Sequence, residues 1–227
     1  RVGAELNLER GPWSTLPFGI LHSMLTSASK DIRSGAMEIF AKMDQAEWIR
    51  LQALIFELSL EGHRDVREGL VRIIQKLVMH SEDFGINLAS HLLDSGNDAA
   101  LEVLRILTRT LSASVWAERT ELLKKGATFA SDKVQELFYP LILRLAARDP
   151  DKSWPLVLEL LDRMAHRNGV QAGELALSFW SDLLRSYTEE YLTDHPMLLA
   201  KMFAHGKQEL YELALDRVRG VLGVLPQ

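Results

Sequence analysis

From Leu16 onward, apolar residues recur at helical spacing in segments separated by short polar turns. That period and those connection lengths are those of an all-α chain. Candidate helices cover residues 16–28, 45–60, 82–94 and 112–125. Each is followed by a second helix opening at Asp31, Asp65, Asp98 or Asp132, aspartates spaced 34, 33 and 34 residues apart. One residue on stand Ile32, Val66, Ala99 and Lys133; five on, Ala36, Leu70, Val103 and Leu137. Eight on stand Ile39, Ile73, Ile106 and Pro140; nine on, Phe40, Ile74, Leu107 and Leu141. These offsets share one helix face, so they predict a buried stripe. The aspartate is expected to cap its helix, accepting from free first-turn amides and facing the positive dipole end.

Two further pairs follow with weaker signals. One is capped by Ser153 with Pro155 in its first turn and runs to His166, followed by a helix from Gln171 through Tyr187 that can extend to Leu192. The last opens near Asp194 and Pro196, with a second helix from Lys207 to Leu222. Gly62, Gly96, Gly126, Gly169 and Gly206 fall at turns, where left-handed helix terminators are expected. Pro140 lies within a helix and should kink it. Residues 1–15, with Gly3, Gly11 and Pro12, read as a lead or linker, and 16–227 as the repeat array.

One hairpin cannot bury its own stripe, whereas stacked neighbours create a continuous core. The expected fold is therefore all-α, a right-handed α-solenoid of about six helical hairpins. The second helices resemble those of HEAT repeats, a family of the armadillo-like helical class. Asp31-Ile32-Arg33 and Asp65-Val66-Arg67 match the family's opening, while Asp98-Ala99-Ala100 and Asp132-Lys133-Val134 keep only the aspartate. Gln171 and Lys207 depart from it. The resemblance spans residues 16–222 and is strongest over 20–147. Tetratricopeptide repeats share the period, but their small–aromatic signature is absent from the first helices.

Composition narrows the functions. A 47% hydrophobic fraction excludes disorder, and the absence of cysteine excludes disulfide scaffolds, thiolate zinc sites and cysteine enzymes. Forty leucines against 22 valines and isoleucines favour helix over sheet. No apolar run is long enough to span a membrane. The start, Arg1-Val2-Gly3-Ala4-Glu5, has neither methionine nor an apolar signal core, so a piece of a longer chain in the cytoplasm is expected.

No motif carries catalysis. The seven histidines include no pair three or four residues apart, and no phosphate loop, dinucleotide turn or nucleophile elbow occurs. No cofactor, metal or catalytic residue is therefore assigned. Glu82-Asp83 and Glu189-Glu190 suit the dipole at helix starts. Trp48 and Trp180 fit apolar stripes, whereas Trp116 and Trp154, near helix starts, are candidates for exposed anchors.

The net charge of −5 conceals an asymmetry. Turns within pairs, and the helix starts beside them, carry Lys30, Arg33, Arg64, Arg67, Lys133, Arg167 and Lys207. Turns between pairs carry Asp44, Glu47, Glu82, Asp83, Asp149, Asp151, Glu189, Glu190 and Asp194. In a solenoid equivalent turns align, so the first set predicts a basic edge for an acidic partner. Ser95-Gly96-Asn97 interrupts the series. The expected function is a protein-interaction scaffold or recognition segment that uses its concave face and this edge. The alternatives are a nucleic-acid-binding or DNA-repair HEAT-like domain, against which the acidic total argues, and a tubulin-binding TOG-like domain. TOG domains resemble this chain in length and basic turns, but place a tryptophan where Ser27-Ala28-Ser29-Lys30 stands.

Overall fold

A computed structural model describes residues 17–166, 174–204 and 208–224, and every regular element among them is helical. The expected lead at residues 1–15 lies outside the described residues, as do Gly169 and Gly206. The chain divides into two compact units, residues 1–112 and 113–227.

In unit 1 the helices are α1 (Phe18–Leu25), α2 (Lys30–Lys42), α3 (Gln45–Arg50), α4 (Gln52–Glu61), α5 (Arg64–His80), α6 (Glu82–Ser95) and α7 (Leu101–Thr110). A 3-10 turn, Asp98–Ala100, leads into α7. Helices adjacent in sequence pack together, as α1 on α2, α4 on α5 and α5 on α6. Helices one repeat apart also pack: α2 on α5, α5 on α7, and α4 on α6. Much of the predicted stripe is buried in these helices. Ala36, Leu70 and Val103 are fully buried, as are Phe40, Ile74 and Leu107 nine residues past each aspartate. Burying each large member is worth about 1.5–3 kcal/mol. The offset of one is looser, since Val66 is buried but Ile32 is 38% exposed.

Several boundaries differ from expectation for local reasons. Asp31, Asp65 and Asp132 lie inside the first turn, the cap positions being held by Ser29, His63 and Ser131. The expected helix 45–60 breaks at Leu51 (φ −97°, ψ 18°). Before the break, Asp44 and Glu47 form a reciprocal capping box, and Trp48 Nε1 donates to the Phe40 carbonyl at 2.8 Å. These ties fix α3, and the break lets α4 direct Leu54, Ile55 and Leu58 into the core. Asn97 accepts from the Ala99 amide at 2.9 Å, which tightens the start of the third second helix into the 3-10 turn. Of the expected left-handed terminators, Gly96 alone among the described residues has a positive φ, 64°. Gly62 is extended, at φ −64° and ψ 154°.

Unit 2 comprises α8 (Ala113–Ala117), α9 (Thr120–Ala127), α10 (Asp132–Arg148), α11 (Pro150–His166), α12 (Glu174–Ser186), α13 (Glu189–Asp194), α14 (Met197–Ala204) and α15 (Gln208–Val224). Here α10 packs on α12 and α12 on α15, while α9 packs on α11 and α11 on α14. The expected helix 112–125 is split at Glu118–Arg119. The extension past Tyr187 is also split, because the Thr188 hydroxyl accepts from the Tyr191 amide and starts α13 afresh.

In α10 the buried face is Val134, Phe138, Leu141, Ile142 and Leu145, turned by about one residue from the expected stripe. Leu137 is only half-buried and Pro140 is exposed. The helix continues through Pro140, which stands where water can replace the backbone bond that proline removes. Gly126, near the end of α9, is required by packing rather than by its own conformation. A Cβ placed there would land inside the Phe138 ring, which meets Trp116 edge-on with centroids 5.6 Å apart. Gly126→Ala is expected to lower stability by about 1–3 kcal/mol through overpacking, measured as a reduced denaturant midpoint with an unchanged slope.

Candidate interaction surface

The basic residues at the helix starts of unit 1 fall into two classes. Arg33 is buried, and its guanidinium grips the chain itself. Nε and the Nη2 end pair with the Asp65 carboxylate at 3.0–3.1 Å, and Nη1 donates to the carbonyls of Ser27 at 2.8 Å and Ala28 at 3.0 Å. One side chain thus ties the turn before α2 to the start of α5. Arg67 occupies the equivalent position one repeat later and turns back to the Gly62 carbonyl, leaving its Nε buried without a hydrogen-bond partner. The pairing changes there: Asp98 at the third helix start forms no ion pair with Arg67, and Arg64 instead bridges onward, pairing with Glu68 at 2.9 Å and approaching Glu102 of α7 at 3.6 Å.

Lys30 and Arg64 are exposed at the starts of the packed helices α2 and α5. In unit 2, Lys133 is exposed in the first turn of α10. Arg167 and Lys207 lie outside the described residues. The five described basic residues therefore do not form one class: Arg33 and Arg67 hold the fold, while Lys30, Arg64 and Lys133 present charge to solvent.

Sequence reasoning missed the polar couplings of unit 2, whose partners lie about a repeat away. Arg217 of α15 donates to the carbonyls of Leu184 at 3.0 Å and Tyr187 at 2.9 Å, closing the end of α12. Lys124 of α9 pairs with Glu121 at 2.8 Å and Glu159 of α11 at 3.0 Å, and these bonds raise its pKa. Ser153 of α11 and Tyr187, the residue after α12, share a 2.8 Å hydrogen bond. Burial there pushes the Tyr187 phenol up to about 12.

Neither expected tryptophan anchor is free. Trp116 is 1% exposed. Trp154 is half-buried, edge-on to Tyr187, Tyr191 and His195 at centroid distances of 5.6, 5.6 and 5.3 Å. Those three rings are themselves stacked, and the Tyr191 hydroxyl donates to Asp151 at 3.0 Å. Burial, and then the bond to Asp151, raise the Tyr191 pKa. With its ring faces consumed by neighbours, the column is a packing element. Among the described residues, no three His, Asp or Glu side chains are placed to hold a metal ion.

Desolvation works to raise the Asp65 pKa, but the hydrogen bonds and charge of Arg33 outweigh it and hold the carboxyl below its usual 3.8. A lowered folded-state value gives stability that is complete above the unfolded value and lost as pH falls through the folded one. Asp65→Asn should therefore cost about 1.5–3 kcal/mol at neutral pH. The difference from wild type should shrink as pH falls below 3.8, as followed by urea unfolding across pH. No protein-family model matches the chain, and no curated protein matches it.

Proposed function

We propose that this chain is a HEAT-like α-solenoid that acts as a scaffold or recognition segment, binding a protein partner through its basic turn edge. The observation that carries the reading is the Arg33–Asp65 link. It joins equivalent helix starts in successive repeats at 3.0 Å and leaves Lys30 and Arg64 exposed beside it. The packing of α2 on α5 and of α5 on α7, in chain order, supports the repeat architecture. Exposed cations in the openings of α2 and α5, and separately in that of α10 in unit 2, support recognition of an acidic surface by long-range attraction. The reading assigns no catalytic step and no cofactor.

The test is affinity capture by the whole chain, comparing wild type with a Lys30→Glu, Arg64→Glu, Lys133→Glu variant whose circular dichroism matches wild type. Exposed charges contribute about 0.2–1 kcal/mol each, so the three reversals should weaken a captured protein's binding about tenfold. Unchanged affinity would remove the turn edge as the binding surface.

A further inference from the structure

The exposed cations of unit 1 extend beyond the turns. Seven and eleven residues past Asp31, Asp65 and Asp98 stand Glu38 and Lys42 in α2, Arg72 and Lys76 in α5, and Arg105 and Arg109 in α7. All six are exposed. Offsets of seven and eleven are four apart, so each pair forms a stripe on one helix face. α2 packs on α5 and α5 on α7, with about 8–10 Å between neighbouring axes, and each helix carries its pair at the same offset from its aspartate. These six positions carry five cations and one carboxylate, with exposed Glu68 four residues before Arg72 on the same face of α5, although residues 1–112 contain more acidic than basic side chains.

Helix-surface pairing accounts for only part of this pattern, since Glu38 and Glu68 stand four residues before Lys42 and Arg72 while Lys76, Arg105 and Arg109 have no acidic residue four positions before them. Like charges four apart on a helix cost about 0.2–0.5 kcal/mol per pair, and both Arg72/Lys76 and Arg105/Arg109 bear that cost. Dipole complementarity explains Lys42 and Arg109, which lie in last turns, but not Arg72, Lys76 or Arg105. None of the five forms an ion pair with a described residue. The Lys76 ammonium rests 5.4 Å from the centre of the Trp48 ring, and three residues beyond it Met79 is 81% exposed. The basic stripe of α5 therefore ends in an apolar side chain open to solvent.

We propose that this face docks an acidic protein segment carrying apolar residues among its carboxylates, the carboxylates meeting Arg72, Arg105 and Arg109 and an apolar residue meeting Met79. The proposal rests on the protein-binding reading above and adds a second surface to it. Charge complementarity selects an anionic partner, and two features favour a peptide over nucleic acid. The stripes expose no aromatic ring on which bases could stack, Trp48 being only 4% exposed. The acidic remainder of the unit repels an extended phosphate backbone, whereas a short segment stays within about a Debye length of the patch.

The probe is a labelled Glu-Glu-Leu repeat peptide, titrated with the full chain by fluorescence anisotropy. Labelled single-stranded and duplex DNA serve as parallel ligands. The Arg72→Glu, Arg105→Glu, Arg109→Glu variant should bind the peptide about tenfold more weakly, and wild-type affinity should fall with salt. The turn variant of the preceding section should retain peptide binding, with circular dichroism confirming that both variants fold. No peptide binding, peptide affinity that survives the face reversal, or DNA bound more tightly than peptide through the same arginines would overturn the proposal. A partner captured through the turns and insensitive to the face reversal would overturn it too, while leaving the protein-binding reading standing.

Discussion

Burial of the side chains five and nine residues past each first-turn aspartate is the interaction on which unit 1 depends. Leu70 and Ile74 of α5 are fully buried, and α5 packs against both α2 and α7. Since α3, α4 and α6 also pack on it, α5 gains its stability from several neighbours at once, at about 1.5–3 kcal/mol per large side chain. The exposed pair Arg64–Glu68 belongs to a class worth about 0–1 kcal/mol. Apolar stacking therefore dominates the energetics, and the polar contacts set register. Arg33 illustrates this, since its hydrogen bonds to Asp65, Ser27 and Ala28 fix how far along its axis α5 can slide past α2.

The same constraint sorts the charged residues. A side chain at the edge of the buried stripe, such as Arg33, is drawn into satisfying carbonyls and carboxylates that packing would otherwise leave wet or orphaned. One that points away, such as Lys30 or Arg72, has no such duty and is available for a partner. Sequence position alone does not separate the two classes, because Lys30 and Arg33 are only three residues apart. In unit 2 the corresponding task falls to Arg217, which closes α12 from a helix about thirty residues downstream.

The repeat period and the buried face of α2, α5 and α7 were legible in the sequence, because aspartate, turn and stripe recur together at near-constant spacing. The breaks at Leu51, Glu118–Arg119 and Thr188 were not. They arise where a local tie, such as the Asp44–Glu47 capping box or the Thr188 hydroxyl, competes with continuation of a helix that the apolar pattern alone would allow. The turned face of α10 escaped for a related reason. Aligning on Asp132 placed Pro140 inward, whereas Val134, Phe138 and Ile142 form a better stripe with the proline outward. The duties of Arg33 and Arg67 were hidden because their spacing suggested equivalence, whereas Arg33 pairs with Asp65 and Arg67 turns back to the Gly62 carbonyl although Asp98 stands one repeat on.

If each repeat is stabilised chiefly by its neighbours, damage to one stripe must spread to the helices beside it. Native-state hydrogen exchange on Leu70→Ala measures this directly, since the side chain is fully buried in α5 and its truncation costs about 2–5 kcal/mol. Nearest-neighbour stacking predicts that amide protection falls together in α2, α5 and α7. Loss of protection confined to α5, with α2 and α7 unchanged, would contradict it.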